Sequence, residues 1–434
     1  MSKSGAAITI RYGSRRLSLA IPEGVHVDTV GRQATENSNE LSVLQRALAA
    51  PLAAPLLSDF LAGGKSVLVV VNDATRSTPN SRILPYLIPV LRDVPSWSVI
   101  IASGLHRGPT NDEKRSLFGG VLSEVEGRLL VHDGYDASQL ETVGSGETHV
   151  QINRHLLAAD RILLINSIEP HFFAGYTGGR KSILPGLAGH DTVERSHAGA
   201  VSERSTALRV EGNPVREFIH SRTQFIDPKR IWSIQVVLDR EDRMAAVFAG
   251  HVDQTFAAGC EAARASYTVE IEQPYDLVLA VLHPPLDMSL YQAMKGWELP
   301  APGVRDGGFL VFSAPCWEGV GAKFYSRLID EYPDVKSWMA LETKPYTLGL
   351  HKLVRTARAR RRFRLLAVTG MPVEQVRRFG YEAYDSHEAA LATALAQLGR
   401  PCRMLVVEDS ALTTIVRKNK RVLAPNVGAE GVNV

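Results

Sequence analysis

At 434 residues, 45% hydrophobic and 22% charged, the chain exceeds the size at which a single hydrophobic core stops growing, so two domains of an ordinary globular protein are expected. A formal net charge of +3 is too small to argue for a nucleic-acid partner. No apolar run is long enough to span a bilayer, and the start, MSKSGAAITIRYGSRR, lacks the apolar stretch of a secretory signal. Cys260, Cys316 and Cys402 lie far apart without CxxC spacing, which reads as free thiols in a reducing, cytoplasmic setting.

Residues 7–21 alternate around a Tyr-Gly turn at Gly13 and predict a small hairpin. Strand-length apolar runs follow at 67–71, 97–102, 161–165, 277–282, 309–312, 365–368 and 404–407, separated by helical patterns. Continuous β-branched runs between helices predict parallel strands buried on both faces, hence an α/β protein. Residues 231–238 and 244–249, joined by 239–243, read as a hairpin appended to the first sheet. After the helical run 255–264, a fresh strand-led unit begins near 275. The plan is an N-terminal α/β domain of 1–267 and a C-terminal α/β domain of 275–434, both with mainly parallel sheets. The active site is expected in the cleft between them. No internal repeat or low-complexity tract interrupts this plan.

Polar motifs stand at three strand ends. Residues 67–71 run into Asn72-Asp73-Ala74-Thr75-Arg76-Ser77-Thr78-Pro79, residues 97–102 into Ser103-Gly104-Leu105-His106-Arg107, and residues 161–165 into Asn166-Ser167-Ile168-Glu169-Pro170-His171. Open parallel sheets bind ligands beyond the carboxyl ends of their strands. One such motif is ordinarily a helix cap or a surface loop, and Ser77 or Thr78 before Pro79 looks like an N-cap with proline in the first turn. Three together point to a site. A lone histidine is more often structural than catalytic, but His106 and His171 at equivalent strand ends suggest an acid/base pair facing one bound molecule, as inversion of a stereocentre requires.

Next comes Gly175-Tyr176-Thr177-Gly178-Gly179-Arg180-Lys181-Ser182. The Walker pattern needs Gly directly before the lysine, and Arg180 stands there, so a P-loop NTPase is rejected. The glycines, Gly178 and Gly179 among them, would allow close backbone approach to a ligand. His197 follows without an HxH, HExxH or cysteine cluster, which argues against a metal site built from protein ligands alone. An NAD-linked dehydrogenase is disfavoured because no GxGxxG follows an early strand. A competing class is a non-catalytic nucleotide or nucleic-acid binder using the glycine-rich loop and the arginine-rich run 355–364. That run reads first as a solvated helix face, as charge runs ordinarily are.

Taken together, the motifs DATRSTP at 73–79, GLHR at 104–107, EPHFFAGYTGGRKSILPG at 169–186, His197 and YQAMKG at 291–296 resemble the nickel-dependent lactate racemases and related 2-hydroxy-acid racemases and epimerases. The resemblance implies an isomerase carrying nickel in a pyridinium-3,5-bisthiocarboxylic acid mononucleotide, the nickel-pincer nucleotide. It implies that Lys181 is joined to this cofactor through a thioamide and that His197 is the protein's ligand to nickel. Asp73 and Thr75 would help seat the cofactor, with the backbone of Gly178 and Gly179 close by. Arg76, Gln292 and Lys295 would hold the substrate, and His106 and His171 would exchange its hydroxyl proton. The Cα hydrogen of a 2-hydroxy acid is too weakly acidic for a histidine to remove, so proton-coupled hydride transfer through a transient 2-keto acid is the mechanism implied. Partners implied are a small 2-hydroxy acid and the enzymes that make the cofactor, with no nucleic acid and no membrane. Whether the substrate is lactate, malate, an aryl lactate or a sugar acid stays open, as does the oligomeric state.

Overall fold

The computed structural model describes residues 7–32, 34 and 39–418. They divide into two compact units, one of residues 34 and 39–266, the other of residues 7–32 with 267–418. The protein is of the α/β class with mainly parallel sheets.

The chain opens with an antiparallel hairpin, β1 (Ala7–Tyr12) and β2 (Arg15–Ala20). Gly13 turns it with a φ of +60°, where a side chain would be strained. β3 (Val25–Val30) follows. These strands correct the expected domain of 1–267, because they belong to the unit formed by the C-terminal residues. Ile10, Leu19 and Ile21 pack into that unit's core beside Leu279, Val281 and Leu366, which is where their apolar faces are covered.

The unit of 39–266 is built on β4 (Ser66–Asn72), β5 (Ser96–Ala102), β6 (Leu129–Val131), β7 (Arg161–Ser167), β8 (Ile231–Leu238) and β9 (Met244–His251). Helix α1 (Asn80–Leu91) joins β4 to β5, and α2 (His190–Ala198) lies between β7 and β8. The sheet order is β9-β8-β7-β4-β5-β6. All neighbours are parallel except β8 with β9, the appended hairpin expected from the sequence. Val69 stands between Val99 and Leu163 in register, and all three are fully buried. Burial on both faces explains why these strands read as continuous apolar runs rather than alternating ones.

The second unit adds β10 (Tyr275–Val281), α3 (Leu290–Glu298), β11 (Val304–Ser313), α4 (Leu350–Arg362), β12 (Arg364–Val368), β13 (Glu382–Tyr384) and β14 (Cys402–Val407). Its sheet runs β13-β12-β11-β10-β14-β3, parallel throughout, with Val27 of β3 opposite Met404 of β14. In the arginine-rich run Arg360, Arg361 and Arg362 are exposed, as on a solvated helix face, while Arg355 and Arg358 are largely covered. Arg355 forks onto Glu298 at 2.6 and 2.8 Å, Arg362 meets Asp306 at 3.1 Å, Arg364 meets Glu382 at 2.8 Å, and Arg358 pairs with Glu342. Arg360 donates to the Gly380 carbonyl at 2.9 Å. Guanidinium groups already paired with carboxylates, as those of Arg355 and Arg358 are, offer little to a polyanion. No helix among the described residues is long and apolar enough to cross a membrane.

Candidate active site

In the first unit the chain moves from β4 outward to β5 and β6, then returns to the other side of β4 for β7 and β8. The reversal falls at the carboxyl ends of β4 and β7, the point where open α/β sheets bind ligands. The three polar strand ends are spatial neighbours there, since β7, β4 and β5 are adjacent.

Side chains lash these ends together. Thr78 Oγ1 donates to Asn72 Oδ1 at 2.8 Å, lies 3.0 Å from Ser167 Oγ, and accepts the Ser167 amide at 3.1 Å. Asn72 Nδ2 donates to Ser182 Oγ at 3.1 Å, which ties β4 to the loop of Lys181. Neither Ser77 nor Thr78 caps α1, whose first residue is Asn80 with Pro79 at the cap position. The Thr78 hydroxyl is committed to joining β4 to β7, and that overrides the capping expected from the sequence.

The Asp73 carboxylate, 7% exposed, meets His106 Nδ1 at 2.6 Å through Oδ2 and accepts the Thr75 hydroxyl at 2.7 Å through Oδ1. Burial works to raise its pKa, but the facing His106, its hydrogen bond, Thr75 and Arg76 outweigh this and hold the carboxyl at about 2. An ionised Asp73 puts the His106 proton on Nδ1 and leaves Nε2 as the basic nitrogen. In this arrangement Asp73 and Thr75 support a histidine, a use the motif alone did not suggest.

Glu169, 3% exposed, takes Ser167 Oγ at 2.9 Å on one oxygen and faces Arg76 Nη1 at 3.4 Å on the other. Its amide donates to Thr177 Oγ1 at 2.8 Å, and its carbonyl accepts the Thr177 amide at 2.8 Å. These bonds close a small hairpin of Pro170–His171 against Gly175–Tyr176. His171 is buried there, stacked on Phe172 with ring centroids 5.2 Å apart and met edge-on by Phe173 at 4.5 Å. Its Nδ1 accepts the Ala174 amide at 3.3 Å. Phe173 also touches the His197 ring, 5.2 Å away, so one phenyl ring links the two imidazoles. His197, on α2, donates from Nδ1 to the Val193 carbonyl at 2.8 Å. That is the tautomer of a metal-ligating imidazole, its other nitrogen oriented by a backbone bond.

Lys181 sits in a single 3-10 turn, Gly179–Ser182. Burial, followed by the charges of Arg76 and Arg216, lowers its pKa from 10.5 to about 7, while Asp73 and Glu169 pull the other way. Its side-chain amine has no hydrogen-bond or ion-pair partner among the described residues. The flanking glycines serve the protein's own packing. A Cβ at Gly178 (φ +78°) would stand 2.6 Å from Ile168 and 2.8 Å from Gln235 Oε1, and one at Gly179 (φ +57°) would stand 2.8 Å from Phe256. The Gly179 amide donates to Gln235 Oε1 at 3.1 Å. The missing side chains of these two glycines admit Ile168, Gln235 and Phe256. Arg180 forks onto Asp253 with two bonds of 2.9 Å.

Gln292 and Lys295 are on α3 of the second unit, three residues apart and so on neighbouring positions of its surface. Gln292 is 6% exposed, and its Oε1 has no hydrogen-bond partner among the described residues. Sequence reasoning missed Glu169 as the partner of Arg76. It also missed Arg216, which is buried against the Phe256 ring and donates to the carbonyls of Ala174 and Tyr176, bracing the His171 hairpin. The Asn213-Pro214 pair announced the helix Pro214–Arg222, but nothing in it announced where Arg216 would point. Among the described residues, no group of three or more His, Cys, Asp or Glu stands together as a metal cage.

Residues 12–208 match the lactate racemase N-terminal domain family. A lactate racemase of Thermoanaerobacterium thermosaccharolyticum is 31% identical over 347 residues, 77% of this chain and 80% of that one. The chain belongs to the lactate racemase family. As a member it is an isomerase. A lactate racemase of Lactiplantibacillus plantarum is 29% identical over 339 residues, covering 75% of this chain and 78% of its own. The structure of the Thermoanaerobacterium thermosaccharolyticum lactate racemase apoprotein superposes with a TM-score of 0.82 at 27% identity, covering 95% of this chain and all of that one. A crystal structure of a Thermotoga maritima protein, at 19% identity and a TM-score of 0.69, shares the fold, covering 88% of this chain and 98% of that one.

Proposed function

We propose that the protein racemises or epimerises a small, lactate-like 2-hydroxy acid, using a nickel-pincer nucleotide held by Lys181 and His197. The observation that carries the reading is the convergence on one sheet reversal of His106 with Asp73, Arg76 with Glu169, the His171 hairpin and an unpartnered lysine amine. The residues fit the cofactor. A lysine amine with its pKa brought down to about 7 is a nucleophile near neutral pH, as attachment to a thioacyl group requires. His197 presents one imidazole nitrogen, suited to a metal whose other donors come from the cofactor. When bound, the cofactor supplies the two-electron acceptor that lets the C2 hydrogen leave and return.

The protein's own part is orientation and proton management. Arg76 would take the substrate carboxylate, with Glu169 keeping the guanidinium in place. Gln292 and Lys295 are assigned to the substrate on their motif. His106 would accept the hydroxyl proton of one enantiomer at Nε2, its ring aligned and its cation stabilised by Asp73. His171, packed between Phe172 and Phe173, would do the same for the other enantiomer. The test is chiral chromatography of enantiopure lactate, malate and phenyllactate incubated with protein produced alongside the cofactor-synthesis enzymes. Formation of the opposite enantiomer from at least one of them supports the reading, and unchanged enantiopurity in all three by nickel-loaded protein refutes it.

A further inference from the structure

Helix α4 carries a lysine where an apolar side chain would be expected. Lys352 is 2% exposed, and burial lowers its pKa to about 7. Withdrawing an amine from water is costly unless it gains something in return. Tyr291 and Met294 of α3 are among its partners. Nζ donates to the Tyr291 carbonyl at 2.8 Å, stands 3.9 Å from the centroid of the Tyr291 ring, and approaches Met294 Sδ at 3.7 Å. One turn further along α4, Arg355 forks onto Glu298 at 2.6 and 2.8 Å, with both side chains about one-tenth exposed.

Tyr291, Met294 and Glu298 follow helical spacing and form the stripe of α3 that faces α4. The two contacts therefore grip α3 near its beginning and at its end. Gln292 and Lys295 lie between the grips on the adjoining stripe. In an α-helix the Tyr291 carbonyl also accepts the amide of Lys295, so Lys352 bonds the same oxygen that starts the Lys295 turn. A rotation of α3 by roughly 20° would move side-chain ends by about 2 Å, enough to spoil a ligand contact.

We infer that Lys352 is a positioning residue, which with Arg355 fixes the rotational setting of α3 and thereby the presentation of Gln292 and Lys295. The inference rests on the proposed substrate-binding role of those two residues. An apolar residue of similar length would pack at least as well, because replacing a buried charge by a matched apolar group is often neutral or stabilising. Stability alone therefore does not account for the amine, and the specific bond to one carbonyl does.

The experiment compares Lys352→Met, Glu298→Gln and Lys295→Ala as nickel-loaded holoprotein, measuring kcat, KM for the 2-hydroxy acid, nickel content and thermal midpoint. Lys352→Met is expected to raise KM by about 5- to 20-fold with kcat altered by less than about 3-fold. Its nickel content should equal that of the wild type, with a midpoint no lower. Glu298→Gln, which loosens the other grip without touching Lys352, is expected to shift KM in the same sense and covers the case in which Lys352→Met does not fold. If Lys295→Ala raises KM while the other two stay within about 2-fold of wild type, Lys352 has no positioning role. If Lys295→Ala also leaves KM unchanged, the substrate role of α3 falls, and the inference falls with it. A KM rise in Lys352→Met accompanied by a large fall in midpoint marks a merely structural residue and also overturns it.

Discussion

The Asp73 carboxylate lies 2.6 Å from Nδ1 of His106, so a residue of the first strand-end motif fixes the tautomer of the histidine in the second. Asp73→Asn keeps the shape but removes the acceptor charge, and an amide in its place can hold the ring in the wrong tautomer. Racemisation is expected to fall by at least about 100-fold, the scale of a lost general acid or base, with nickel content unchanged. Steady-state rates from each enantiomer, alongside metal analysis, decide this. A parallel loss of nickel would return Asp73 to the cofactor-seating role implied by its motif.

His106 and His171 are expected to serve opposite enantiomers. Net racemisation passes through both, so either alanine variant should fail in both directions overall. A single turnover separates them. Mixed rapidly with one enantiomer and followed by absorbance, His106→Ala should react with one hand of the substrate only, and His171→Ala with the other. Equal loss for both hands in both variants would contradict a two-base site.

Lys181 gives a pH signature. Its folded pKa of about 7 lies below the usual 10.5, so between these values the unfolded chain binds a proton that the folded protein does not. Stability contributed at this site therefore rises with pH from about 7 to about 10.5, and the penalty of the buried charge is fully present below pH 7. Lys181→Met should flatten that rise in denaturant titrations at successive pH values. In cofactor-free protein, limited acetylation followed by peptide mass mapping should show Lys181 labelling with a midpoint near pH 7. A labelling midpoint near the ordinary 10.5 would contradict a suppressed charge at Lys181.

Arg76→Ala removes a guanidinium from both the substrate and Glu169. Loss of a charge-assisted contact corresponds to roughly a 10- to 100-fold rise in KM. Leaving the buried Glu169 carboxylate with Ser167 as its remaining side-chain partner should cost about 1–3 kcal/mol of stability. Arg76→Ala with Glu169→Gln should recover part of the stability and none of the affinity, because the stranded charge is gone while the substrate contact is still missing. Unfolding curves and KM values for the single and double variants check both halves.

What the sequence made legible follows physical rules. Strands buried on both faces, such as β4 with its Val67–Val71 core, stand out because nothing polar interrupts them. β3 does not, since Val-His-Val-Asp-Thr-Val at the sheet edge is no continuous apolar run, and its pairing with β14 spans almost the whole chain. The opening hairpin was readable as a hairpin, but the unit whose core it joins was not. The site motifs were visible because strand ends bring together what the sequence scatters. The ion pairs of Arg355, Arg358 and Arg362 were not legible because Glu298, Asp306 and Glu342 are distant in sequence, and pairing is a tertiary property. Gly178 and Gly179 were recognisable as backbone necessities, while only the fold reveals that Ile168, Gln235 and Phe256 occupy the space they leave.

The central claim is that Lys181 anchors a nickel-bearing nucleotide at the carboxyl ends of β4 and β7. Its most direct test is intact-mass and nickel analysis of the wild type and Lys181→Ala, each produced together with the cofactor-synthesis enzymes. The wild type is expected to carry a covalent adduct that maps to the peptide containing Lys181, with nickel bound in proportion to it, and Lys181→Ala to carry neither while remaining folded. An adduct and nickel retained in Lys181→Ala, or an unmodified and active wild type, would contradict the account.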